Sequence, residues 1–128
     1  MEALKNFEIE LIKKMLDRPD PEENGHTAED IARLDGFLGR ISESIQVEYD
    51  YTGVGYFETI AHPEIPTDRI VVHPVGIYGK VDECLLGFVF FFEDGKLLID
   101  CHSLSEMDCP PDARERGISV IDERGLET

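Results

Sequence analysis

Apolar residues along the chain follow a helical period first and a strand period later. From Ala3 to Leu16 they fall at Leu4, Phe7, Leu11, Ile12, Met15 and Leu16, one stripe with Glu and Lys on the opposite side. The spacing predicts an amphipathic helix of about four turns. Asp17-Arg18-Pro19-Asp20-Pro21 ends it, because proline lacks the donor and disfavours helical geometry in the residue before it. A polar loop runs on to Gly25. Thr27-Ala28-Glu29-Asp30 then has the form of a helix start, a hydroxyl cap followed by acids at the positive end of the dipole. Ile31, Leu34, Phe37 and Leu38 give this second helix its apolar face, and Gly36 and Gly39 place its end between Leu34 and Gly39.

From Ile45 the period shortens to two. Ile45, Val47, Tyr49 and Tyr51 alternate with Gln46, Glu48, Asp50 and Thr52, which predicts a strand with the first set buried and the second wet. Gly53-Val54-Gly55 offers a turn or bulge into a second arm, Tyr56 to Ala61. A proline-bearing loop, His62 to Asp68, precedes the β-branched run Arg69 to His73, which Pro74 ends or confines to a sheet edge. Ile77 to Val81 continues the strand after that break.

The densest apolar run and the clearest turn signal come together in Cys84 to Leu104, a β-hairpin about Glu93-Asp94-Gly95-Lys96. Its first arm is apolar on both faces, Leu85, Val89 and Phe91 against Leu86, Phe88, Phe90 and Phe92, and so belongs in mid-sheet with both faces covered. The second arm sets Leu97, Ile99 and Cys101 against Lys96, Leu98, Asp100 and His102, the half-buried pattern of a strand nearer an edge. Pro110-Pro111 opens a short helical turn that Gly117 ends, Ile118 to Ile121 reads as a last strand, and the charged tail from Asp122 is expected to fray. The whole predicts an α+β domain over residues 1–128: two N-terminal helices packed on a mainly antiparallel sheet of about six strands.

Charge narrows the classes of partner. The chain carries 28 acidic and 12 basic side chains, a formal net charge of −16. Such a surface repels nucleic-acid phosphate and anionic membranes and favours encounter with basic proteins. It also keeps a small protein soluble without any partner. The opening MEALKNFEIELIKK has Glu and Lys in every apolar run, neither a signal peptide nor a membrane span, which points to the cytoplasm. Cys84, Cys101 and Cys109 are an odd number at unremarkable spacing and read as reduced, buried thiols.

Candidate chemistry is sparse. The four histidines and three cysteines include no CxxC and no helical HxxxH, and Cys101 and His102, adjacent in a strand, point to opposite faces. No metal or cofactor is expected. No GxSxG is present, and Gly53-Val54-Gly55 leads into no helix that could cradle a phosphate. A small hydrolase or ligand-binding enzyme stays open as a second class, its mark a pocket that draws His73 or His102 toward a carboxylate or Cys109. The acids are more telling by position. Glu48 and Asp50 share the wet side of one strand, while Asp82, Glu83, Glu106 and Asp108 lie in loops bracketing the hairpin. Converging, they form a negative patch for a basic partner, with Tyr49, Tyr51 or Tyr56 as aromatic anchors; a homodimer that covers the second sheet face is the other interaction the pattern allows.

TGVGYFETI at Thr52 to Ile60, GFVFFFEDGKL at Gly87 to Leu97, and a following strand that runs into a proline-bearing acidic loop resemble a group of small bacterial single-domain proteins of mostly unassigned function. Some of that group are similar to immunity proteins, which neutralise toxins by binding them. The likeness spans roughly the C-terminal two-thirds of the chain and rests on turn and strand signals. It implies an inhibitor that blocks a basic toxin domain by occlusion, and carries over no catalytic residue.

Overall fold

The computed structural model describes residues 2–16, 32–72 and 76–123. The expected helix start at Thr27 to Asp30, His73, Pro74 and the tail beyond Glu123 lie outside the described residues. Within them, eight strands form one antiparallel sheet: β1 (Glu2–Ala3), β2 (Ile45–Tyr51), β3 (Gly55–Ala61), β4 (Ile70–Val72), β5 (Ile77–Val81), β6 (Cys84–Glu93), β7 (Lys96–Ser103) and β8 (Ser119–Asp122). The helices are α1 (Asn6–Leu16), α2 (Asp35–Gly39) and α3 (Ala113–Arg116), with a 3-10 turn at Ile41–Glu43.

The strand order is β1-β2-β3-β7-β6-β5-β8, and β4 also pairs with β6. At ten residues, β6 exceeds its neighbours on one side, so β5 pairs with its first part and β4 with its last. The hairpin to β7 turns on Asp94 and Gly95 at φ 54° and 77°, two successive left-handed residues of the kind that match strand twist. The mid-sheet expectation for the first arm holds. The second arm is also interior, between β3 and β6, and the edge expectation is corrected. Its half-buried alternation arises because one face of the whole sheet is wet.

Leu11, Ile12, Met15 and Leu16 of α1, Phe37 of α2, and Leu86, Phe88, Phe90 and Phe92 of β6 belong to one buried core. Phe37 meets Phe92 edge-on at 6.1 Å, which seats α2 over the far end of β6. Opposite this inner face the sheet is only partly covered: Phe57 and Leu85 are exposed, and Val89, Phe91 and Leu98 half-buried. Full cover on both faces of β6 was expected and does not occur among the described residues.

Two further expectations change. The sheet has eight strands rather than about six, because Glu2–Ala3 pairs with β2 before α1 begins at Asn6, and because β4 and β5 pair separately along β6. Where the second helix enters the described residues at Ala32 it breaks into a turn at Arg33 and Leu34 and resumes for five residues at Asp35–Gly39, ending within the expected bounds. The Pro110-Pro111 turn is α3, and Gly117 ends it at φ 87°.

Candidate functional site

Strand β2 differs from the even alternation of its sequence. Gln46 pairs with Ile60 and Glu48 with Thr59, so Val47 is the extra residue of a bulge. The bulge shifts the phase by one: before it Gln46 faces inward and Ile45 outward, while after it Tyr49 and Tyr51 face inward and Glu48 and Asp50 outward. Ile45, expected in the core, is therefore exposed, and so is Val47. Tyr49 stacks at 5.0 Å on Tyr56, and the Tyr51 hydroxyl donates to the Cys109 carbonyl at 2.6 Å. These inward contacts hold β2 in place while its acids stay in water. Neither Tyr49 nor Tyr51 is fully buried, and Tyr51 is 41% exposed.

The loop after β7 runs along one end of the sheet. Leu104 N–H donates to Leu85 O on one side, and Cys109 N–H donates to Gly53 O on the other. Glu106 and Asp108 are exposed on this loop, and Asp82 and Glu83 are exposed in the β5–β6 turn beside it. Asp82 is paired with Arg116 of α3, so part of its charge is already spent. Asp108 lies near enough to Tyr51 to help raise its hydroxyl pKa, after burial and Cys109, and Glu115 does the same for Tyr49 after burial. Sequence reasoning missed Glu115, whose place beside β2 depends on where α3 docks.

Among the described residues the histidines and cysteines do not assemble into one site. His102 projects from the wet face, its ring over Gly87 and its Nδ1 3.6 Å from Asp100 Oδ1. Cys109 is buried on the inner side, where Cys101 hydrogen-bonds to it, raising the Cys101 thiol and lowering that of Cys109. Cys84 is likewise buried and free. A shallow cleft of about 370 Å³ is lined by His62, Glu43, Asp94 and Lys96 among others. His62 Nδ1 accepts from Glu64 N–H, so Nε2 carries the proton and donates to Arg40 O. With both nitrogens engaged, this imidazole has none free to take a proton from a substrate.

The strongest electrostatic feature is buried, and it was not read from the sequence. Arg114 of α3, 1% exposed, donates from Nε and Nη2 to Glu8 of α1 at 3.1 and 3.0 Å, from Nε to Glu58 of β3 at 2.9 Å, and from Nη1 to Glu2 of β1 at 2.8 Å. Gln46 Nε2 donates to Glu58 at 2.7 Å. Glu8 also accepts from the Lys5 N–H at 2.8 Å, the backward reach of a capping box at the start of α1. Burial, then the hydrogen bond with Glu8 and its charge, push the Glu58 carboxyl up to about 9 against Gln46 and Arg114. Glu58 Oε1 is buried without a hydrogen-bond partner, which fits a carboxyl that keeps its proton. Burial opposes the Arg114 charge, yet its carboxylates raise its pKa, and Arg114 in turn lowers that of Glu2.

Two of these acids had a legible signal. Glu58 lies in phase with buried Tyr56 and Ile60, and Glu8 falls on the α1 stripe between Leu4 and Leu11. Charges in apolar phase are almost never buried unless paired. Arg114, in a four-residue helix, gave no such signal. The network is a structural tie with no opening for a substrate, since its Arg114, Glu8 and Glu58 side chains are each at most 1% exposed.

No protein-family model matches the chain, and no curated protein or solved structure does so either.

Proposed function

We propose that the chain is an acidic protein-binding module that meets a basic partner and acts by occlusion, in the manner of an immunity-type inhibitor covering a basic toxin domain. The observation that carries this reading is the exposed run of β2, where Glu48 and Asp50 point to solvent from the outer face while Tyr49 and Tyr51 anchor the strand inward. Two acids on the outer face of one well-anchored strand, in a chain of net charge −16, set up a local field of one sign, which speeds encounter with a basic surface and disfavours acidic ones. Phe57 on the adjacent strand, 40% exposed, gives the patch an apolar contact of the kind that interface centres use.

The test is affinity capture on the immobilised protein at low and at high salt, with the retained protein identified and its Kd measured in purified form. The expected result is one basic protein held at low salt and lost at high salt, with E48K/D50K weakening its binding by at least tenfold, about 1.4 kcal/mol. Retention of no protein at either salt, or equal binding by the substituted chain, would reject the reading.

A further inference from the structure

We infer, resting on the acidic-module reading above, that the free edge of β2 from Glu48 to Tyr51 takes up an extended basic segment of the partner as an added β-strand. Among the described residues this edge is open. β1 pairs with β2 only at Glu2↔Gln46 and Ala3↔Ile45, and past Gln46 the described residues supply no strand on that side. Thr52 N–H donates to Gly55 O at the hairpin end. Antiparallel alternation then spends the backbone groups of Asp50 and Glu48 on β3 and turns those of Tyr49 and Tyr51 toward the free edge. Two residues thus present N–H and C=O groups to an incoming strand.

The side chains choose the occupant. Tyr49 and Tyr51 are tied inward to Tyr56 and to the Cys109 carbonyl, so the strand is ordered before anything binds and costs little further entropy. Glu48 and Asp50 stand on the outer face, where alternate residues of an added strand come alongside them. Lys or Arg at those alternate positions satisfies both acids, and the net charge of −16 draws a basic segment toward the edge. A second copy is the poorer occupant, because antiparallel self-pairing about Tyr49 sets Glu48 against Asp50, and like charges directly opposite destabilise a pair. The bulge at Val47 limits the usable register toward β1. This is strand addition, in which main-chain bonds give affinity and alternate side chains give specificity.

The probe is a synthetic peptide of about seven residues with alternating Lys and Thr, set beside a copy N-methylated at alternate residues, which keeps the charge but blocks strand pairing on one edge, and beside an acidic Glu/Thr analogue. Binding is followed by amide NMR shifts and hydrogen exchange on the intact chain at low salt. Expected are shifts and slowed exchange at the Tyr49 and Tyr51 amides, binding at least about tenfold weaker for the methylated copy, and a preference for the acidic analogue in E48K/D50K, whose fold the same spectra check. Equal binding of the methylated copy, or shifts that leave Tyr49 and Tyr51 untouched, overturns strand addition while the acidic docking surface stands. If neither basic peptide perturbs the spectrum up to about millimolar concentration, both readings fall.

Discussion

Glu58 is a carboxyl that this fold keeps from water, with the acid Glu8 as one neighbour and a guanidinium shared among three carboxylates as another. Burial leads, and the Glu8 hydrogen bond and charge add to it, so the proton stays on Glu58 up to about pH 9 rather than leaving near 4.5. The folded chain therefore holds a proton that the unfolded chain has released over this window. Stability contributed by this group is complete below the ordinary carboxylate range and is lost as pH rises toward 9, with a slope of at most about 1.4 kcal/mol per pH unit. The other charged and titratable groups near it are Arg114 from α3, Tyr49 from β2 and Tyr56 on its own strand. Chemical denaturation of the wild type should show the midpoint falling between pH 6 and about pH 9, whereas E58Q, whose amide imitates the protonated acid, should give a flatter profile and the more stable protein at the alkaline end. Parallel profiles for the two proteins would place the proton elsewhere.

At the scale of elements, Arg114 accounts for how the pieces around the sheet are held. It joins α3 to α1, to β1 at the sheet edge and to β3 inside it. Replacing the whole cluster by apolar groups can be neutral, but removing Arg114 leaves Glu8 buried without its cation. R114M should therefore cost about 3–5 kcal/mol, read as a drop in the denaturation midpoint, and slow exchange should be lost first at Ala3 and along α1. A loss within a few tenths of a kcal/mol would mean that the carboxylates find protons or water instead. The elements themselves were largely legible: α1, the hairpin of β6 and β7, the break before β5 and the short turn at α3 all follow from period and turn chemistry. Where β7 lies and where β2 shifts phase were not, because half-burial has the same signature on an edge strand as on an inner strand with one wet face, and a one-residue bulge leaves no mark in an alternating run.

At the scale of the whole molecule, the described residues leave one face of the sheet under helices and the other half-covered, and the chain carries a net charge of −16. An apolar sheet face invites self-association, but charge repulsion and the Glu48–Asp50 opposition at the β2 edge act against it. The chain should sediment as a 14.5 kDa monomer at micromolar concentration and neutral pH. A stable dimer at moderate salt would transfer the half-covered face from the partner to a second copy.

The sequence by itself determined the class, α+β on an antiparallel sheet, the mid-sheet place of β6 and the inner row Leu86, Phe88, Phe90 and Phe92, because local period and turn residues act over a few positions and need no distant partner. Tertiary structure alone decided which strand carries an open edge among the described residues, that Asp108 comes near Tyr51 and Glu115 near Tyr49, and that Glu8, Glu58 and Arg114 meet in one buried cluster. Those outcomes depend on pairs far apart in the chain, Glu8 with Arg114 and Tyr51 with Cys109 among them, whose meeting is set by the packing of the whole core and by no local preference of either residue.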